Sequence, residues 1–142
     1  MKQAVIDASV ILKWYLPDQK YGEKALGLLN RFISDDLEII APALLEYEVI
    51  NGLIIAGRRN RIKEEKITFA VEGFINLGIR LVNLPGLYSK IVYFCKAYNR
   101  SAYDASYLAV AEGEGVVLVT ADEGLYNSVN KDLRWVKWLD EI

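Results

Sequence analysis

The chain has 142 residues, 53% of them apolar and 25% charged, the profile of one globular domain long enough to bury a sizeable core without disulfides or structural zinc. It contains no histidine, which excludes Ser-His-Asp and Cys-His catalysis, imidazole proton shuttles and His-containing zinc sites. Its 19 acidic and 17 basic residues leave a net charge of -2, which taken alone argues weakly against a nucleic-acid partner.

Ala4-Val5-Ile6 is a short apolar run of strand type ending in Asp7-Ala8-Ser9, and an apolar-rich segment follows as far as Pro17. Glu23 to Ile33 reads as a helix. Leu37 to Ala41 is a second strand, stopped by Pro42. From Ala43 to Ala56 apolar residues recur at helical spacing, with Gly57 as a C-terminal stop. Arg61 to Leu77 is a further helical pattern closed by Gly78, and Ile79-Arg80-Leu81-Val82 alternates as a third strand. Helices follow from about Leu87 to Tyr98, and from Ser101 to the Gly113-Glu114-Gly115 turn. Val116 to Thr120 is a continuous apolar run, the form of a strand buried on both faces. A short helix near Leu125 and a last strand, Arg134 to Leu139, complete the order. This alternation predicts an α/β fold: one domain over residues 1–142 with a mostly parallel central sheet of about four to five strands flanked by helices.

Cys95 is the one cysteine, so it cannot form an internal disulfide; beside Ile91-Val92-Tyr93-Phe94 it reads as a small buried hydrophobe. No apolar run approaches the ~18 residues of a membrane span. Asp7 comes too early for a signal peptide, and together these features predict a cytoplasmic protein without membrane contact.

Ligands of an open parallel sheet bind at the carboxyl ends of its strands, so the acids at those ends are the ones to weigh. Asp7 ends the first strand and Asp122 follows the fourth. Asp104 lies in the first turn of the helix that begins near Ala102. About eleven helical residues descend ~16 Å, and the strand before Asp122 climbs back ~16 Å, so Asp104 and Asp122 finish level. On the helix after the second strand, Glu48 and Asn51 are one turn apart on one face, and Glu46 points to the opposite side. Plainer roles fit the same residues: Asp104 as the acidic member of a capping box with Ser101, Asp122 as a helix cap, Asp7 in a strand-to-helix turn and Glu48 as a solvated charge. If the four acids cluster instead, their repulsion calls for a hard divalent cation with oxygen ligands.

Val5-Ile6-Asp7-Ala8-Ser9-Val10 with Lys13-Trp14, then Ala41-Pro42 and Glu48-Val49-Ile50-Asn51, then Tyr103-Asp104-Ala105-Ser106-Tyr107-Leu108-Ala109-Val110-Ala111-Glu112, then Val119-Thr120-Ala121-Asp122 resemble the PIN-domain family, and within it the VapC toxins of toxin-antitoxin pairs. The resemblance runs over essentially the whole chain, with the motifs in family order. It implies a PIN-like domain and a Mg²⁺- or Mn²⁺-dependent endoribonuclease acting on RNA, a homodimer held inactive by a cognate antitoxin. Carried over motif by motif, Asp7, Glu48, Asp104 and Asp122 would be the catalytic, metal-binding acids, and Ser9, Asn51 and Thr120 the polar residues that support them.

With no histidine to act as base, water activated by a cation would attack the phosphodiester, and charge from the cation would stabilise the leaving oxygen. For RNA, the basic run Arg58, Arg59, Arg61 and Lys63 is a phosphate-contacting patch, with Lys13 and Arg100 near Asp7 and Asp104 in sequence. Two other readings stay open: a PIN nuclease of RNA processing outside any toxin-antitoxin pair, and a non-catalytic Mg²⁺- or partner-binding module. Assigning four of the acids to a site leaves the remaining chain with more basic than acidic residues, so the acidic balance no longer opposes an RNA partner.

Overall fold

The computed structural model describes residues 1–16 and 19–142, so Pro17, where the first apolar-rich segment was expected to end, lies outside the described residues. The elements are β1 (Gln3–Ile6), α1 (Ala8–Tyr15), α2 (Gly22–Ile33), β2 (Glu38–Pro42), α3 (Leu45–Arg58), α4 (Glu64–Ile75), β3 (Arg80–Val82), α5 (Tyr88–Tyr98), α6 (Ala102–Glu114), β4 (Val117–Thr120), α7 (Glu123–Val129) and β5 (Val136–Trp138), followed by a 3₁₀ turn, Leu139–Glu141. They form a single α/β domain.

The five strands are parallel, in the order β3-β2-β1-β4-β5. The three central strands are apolar, and Ala4, Val5, Ile6, Ile39, Ile40, Ala41, Leu118 and Val119 are all fully buried. The two edge strands are short and each carries an exposed cation, Arg80 or Lys137, which discourages pairing with another chain. Pro42 closes β2, where its missing N–H costs no ladder bond. From β1 the chain passes to β2 and β3 on one side, then crosses to β4 on the other. The switch point of the topology therefore lies between β1 and β4, where a crevice opens at the carboxyl ends of the strands.

Helix α6 packs against β1, β2, β4 and α5, and every residue from 105 to 111 is buried. Its alanines let it lie close to the sheet, and the Ser101 hydroxyl caps its start by accepting from Asp104 N. Helix α1 packs on α2 and α3, and Trp14 Nε1 donates to Ala25 O at 2.8 Å. No helix among the described residues is long and apolar enough to cross a membrane.

Two local expectations are corrected. Gly57 does not stop α3, which continues through Arg58. The stop is Asn60, in the left-handed region at φ 60°, with Asn60 N donating to Gly57 O and Arg61 N to Ala56 O, the paired bonds of a Schellman motif. This motif also holds Arg61 back from α4, which begins at Glu64. Gly57 serves packing: a methyl group there would lie 2.7 Å from Ile67 Cδ1, so the bare backbone lets α4 cross closely. Cys95 is half-buried at the edge of the core rather than enclosed by it, because α5 is an outer helix.

Candidate active site

Asp7 is the first residue beyond β1, and Ala121 and Asp122 follow β4, so both acids stand at the switch point. The Asp7 carboxylate is 5% exposed and caps α1, its Oδ1 accepting from Val10 N at 3.4 Å. Two hydroxyls complete its shell. Ser9 Oγ donates to Oδ1 at 2.5 Å and Thr120 Oγ1 donates to Oδ2 at 2.5 Å. The same oxygens accept from the backbone beyond β4, Ser9 Oγ from Ala121 N at 2.9 Å and Thr120 Oγ1 from Asp122 N at 3.0 Å. Each hydroxyl thus spends its proton on Asp7 and a lone pair on the neighbouring loop, fixing the ends of β1 and β4 to each other. Burial pushes the Asp7 carboxyl up to about 7, against the pull of the Ser9, Thr120 and Val10 hydrogen bonds, and the charge of Asp122 adds to the rise.

Asp122 caps α7, with Oδ1 accepting from Leu125 N at 3.0 Å. Asp104 takes two hydrogen bonds from Arg100 on its Oδ2, from Nε at 3.1 Å and from Nη2 at 2.8 Å. Arg100 also reaches the turn that carries Asp122. A methyl group on Gly124 would lie 3.3 Å from Asp122 Oδ1 and 3.4 Å from Arg100 Nη2, so a glycine there makes room for both. The capping and clustering roles are therefore compatible: Asp7 and Asp122 cap helices with one oxygen and still line the same crevice.

Glu48, in the first turn of α3, accepts from Tyr107 Oη at 2.5 Å through Oε1, and Tyr107 on α6 is 2% exposed. Burial holds the Glu48 carboxyl above the usual carboxylate range, the Tyr107 hydrogen bond opposes this and the charge of Asp104 reinforces it. Burial and the Glu48 charge in turn drive the Tyr107 phenol far above its ordinary value. Glu46 makes no comparable hydrogen bond, so the helix-face argument selects the acid that faces α6. Tyr107 is a residue that sequence reasoning missed as a partner. The available signal was its spacing, three residues after Asp104 on the same helix.

The charge of Asp122 acts on Asp7, and that of Asp104 on Glu48. Among the described residues, no group of three or more acidic or thiol side chains is placed to hold a metal ion directly. Ser9 and Thr120 belong to the Asp7 network. Asn51 does not: it is exposed on α3 and makes no side-chain hydrogen bond. The basic residues separate as well. Arg100 is bound to Asp104, Arg58 and Lys63 are exposed, and Lys13, Arg59 and Arg61 line a common cavity.

The model of the PIN domain family matches residues 4–130. Ribonuclease VapC9 of Mycobacterium tuberculosis is 32% identical over 118 residues, 83% of this chain and 84% of its own. Ribonuclease VapC3 of Pyrobaculum aerophilum is 28% identical over 123 residues, 85% of this chain and 90% of its own. Among solved structures, PAE2754 of Pyrobaculum aerophilum has the same fold, with a TM-score of 0.69 at 22% identity, covering 99% of this chain and 92% of that one. The chain belongs to the PIN domain family, among its VapC-like members.

Proposed function

We propose that this protein is a metal-dependent endoribonuclease that hydrolyses RNA phosphodiester bonds at Asp7, Glu48, Asp104 and Asp122. The observation that carries the reading is Asp7, a carboxylate enclosed at the topological switch point with a second acid beside it. Burying a charge there is costly unless a cation offsets it. Every donor in the crevice is an oxygen, which suits the hard cations Mg²⁺ and Mn²⁺. Asp7 and Asp104 would be the principal ligands, with Asp122 and Glu48 completing the set directly or through water. The names of VapC9 and VapC3 support RNA as the substrate and the toxin of a VapBC-type pair as the biological setting. That setting implies a cytoplasmic homodimer restrained by a cognate antitoxin. On α5, exposed Tyr88 and Val92 lie one turn apart and supply apolar surface for a second copy.

When bound, a divalent cation supplies positive charge that polarises the phosphodiester and makes water a better nucleophile. The side chains of this chain do the rest. Ser9 and Thr120 fix both oxygens of Asp7, and the α7 cap fixes one oxygen of Asp122, so neither acid has to reorganise during the reaction. Glu48, raised above the usual carboxylate range and steadied by Tyr107, is the group suited to orient the attacking water and take its proton. The test is incubation of structured RNAs with the protein in Mg²⁺, Mn²⁺ or EDTA. Cleavage is expected with either cation and not in EDTA, and Asp104→Asn is expected to reduce it by about 100-fold or more. Cleavage that persists in EDTA, or that survives undiminished in folded Asp104→Asn, overturns the reading.

Arg100 competes with any cation for the Asp104 oxygens. Arg100→Gln is expected to tighten Mn²⁺ binding measured by titration calorimetry by about tenfold, or ~1.4 kcal/mol, the scale of one charge-assisted hydrogen bond. Unchanged or weaker Mn²⁺ affinity would show that the guanidinium does not oppose the ion.

A further inference from the structure

Between α1 and α3 lies a cavity of about 310 Å³. One end is formed by Ser9 and Ala121, the pair joined by a hydrogen bond, and Ser9 also donates to Asp7, so that end lies beside the Asp7 carboxylate. Its floor is apolar, with Leu12, Leu16, Ile55 and Ala56 among the lining residues. Helices α1 and α3 meet beneath it, where a methyl group on Gly52 would lie only 2.5 Å from Leu12 Cδ1. The wall is basic, carrying Lys13, Arg59 and Arg61, and no acid is among the described lining residues.

Lys13 is the unusual member. It is 8% exposed, and among the described residues its side chain hydrogen-bonds to Gln19, with Nζ 3.4 Å from the carboxamide oxygen. Turned the other way, the same carboxamide accepts instead from Arg61 Nη2 at 2.6 Å, so Gln19 serves one of the two cations at a time. Among the described residues no carboxylate hydrogen-bonds this ammonium, on which the Asp7 charge acts only from a distance, and an anion in the cavity would offset the cost of burying it. A basic wall facing an apolar floor suits a ligand with a phosphate at one end and a flat, weakly polar body at the other. The volume lies at the small end of the range for ligand pockets. Its size suits one nucleotide, and a base held in a duplex would first have to leave its stack to enter.

We infer that this cavity is a subsite for a single unpaired nucleotide adjoining the scissile bond, its phosphate held by Lys13 and Arg59 and its base or ribose resting on the apolar lining. The substrate class rests on the nuclease reading, but binding in the cavity does not require a metal. The test is titration of adenosine 3′,5′-bisphosphate into the metal-free protein in EDTA, followed by calorimetry and amide chemical shifts. Binding is expected to weaken with rising salt. Lys13→Gln and Arg59→Gln should each weaken it about tenfold, and Ile55→Trp, which fills the floor without changing charge, should abolish it. Lys96→Gln, the same charge change on α5, should leave it unaltered. Arg59 and Ile55 are exposed lining residues, so these variants keep the fold if Lys13→Gln does not. No binding, or equal weakening by Lys96→Gln, overturns the subsite. Retained binding with no RNA cleavage in any cation would overturn the nuclease reading alone, and cleavage without binding the subsite alone.

Discussion

Asp7→Asn is expected to make the metal-free protein more stable at neutral pH while abolishing RNA cleavage. The Asp7 carboxyl is raised to about 7 by burial, against 3.8 for the unperturbed group. Below about pH 4 it is protonated both folded and unfolded, so it contributes no pH dependence there. Between about pH 4 and 7 the folded chain keeps a proton that the unfolded chain has lost, and stability falls as pH rises through this window. Above about 7 the full penalty of the buried charge is present. Linkage bounds it at about 4 kcal/mol, and local relaxation reduces that to roughly 1–2 kcal/mol. At ~2–4 °C per kcal/mol, the asparagine variant should melt about 2–8 °C above the parent at pH 7.5 in EDTA, and level with it near pH 4. The carboxamide keeps an oxygen for Ser9 and Val10 and offers an N–H to Thr120 Oγ1, so the shell survives. Mn²⁺ should raise the melting temperature of the parent more at pH 7.5 than at pH 5.5, because the ion must displace the Asp7 proton, and should do little for the variant. A variant that melts below the parent at pH 7.5 would refute the assignment of the penalty to Asp7. Function here opposes stability, as expected where an acid is enclosed for chemistry rather than for the fold.

The parts of this site legible in the sequence are those set by short-range rules. Apolar runs bounded by Asp7 and by Ala121-Asp122 mark where β1 and β4 end, and in a parallel sheet those ends face one crevice. Helix and strand lengths place Asp104 and the turn carrying Asp122 at the same sheet edge, and Arg100, bound to Asp104, reaches Gly124 in that turn. What local pattern could not show was tertiary pairing. Tyr107 sits in an apolar stripe and reads as core, and only the packing of α6 against the start of α3 gives its hydroxyl a carboxylate to meet. Arg100 reads as a free cation near the substrate, yet its spacing of four residues from Asp104 gave it an ion-pair partner on its own segment. The end of α3 was misplaced because a glycine is the commoner left-handed stop, whereas here an asparagine takes that conformation and the glycine answers to Ile67.

Thr120→Val should be among the most damaging single changes outside the four acids, although it alters the shape of the core hardly at all. Thr120 is fully buried; its hydroxyl donates to Asp7 Oδ2 and accepts from Asp122 N. Valine removes the partner of one buried carboxylate oxygen and of one partly buried backbone N–H. The cost of orphaning a charged acceptor and a donor together is about 2–3 kcal/mol, a fall in melting temperature of roughly 4–12 °C for a chain of this size. A pure packing defect would cost the same at every pH. Loss of the hydroxyl instead removes a bond that holds the Asp7 carboxyl down, so its value rises further and the deficit relative to the parent grows as pH increases. The destabilisation should therefore be larger at pH 8 than at pH 5. The acid limb of the RNA-cleavage profile should move to higher pH, because ionised Asp7 then appears later in the titration. Thermal melts of the parent and variant at the two pH values, with the cleavage profile on the same preparations, decide the matter. An equal loss of stability at both pH values would mean that Thr120 is only filling space and that the hydroxyl clamp on Asp7 is not what holds the β1 and β4 ends together.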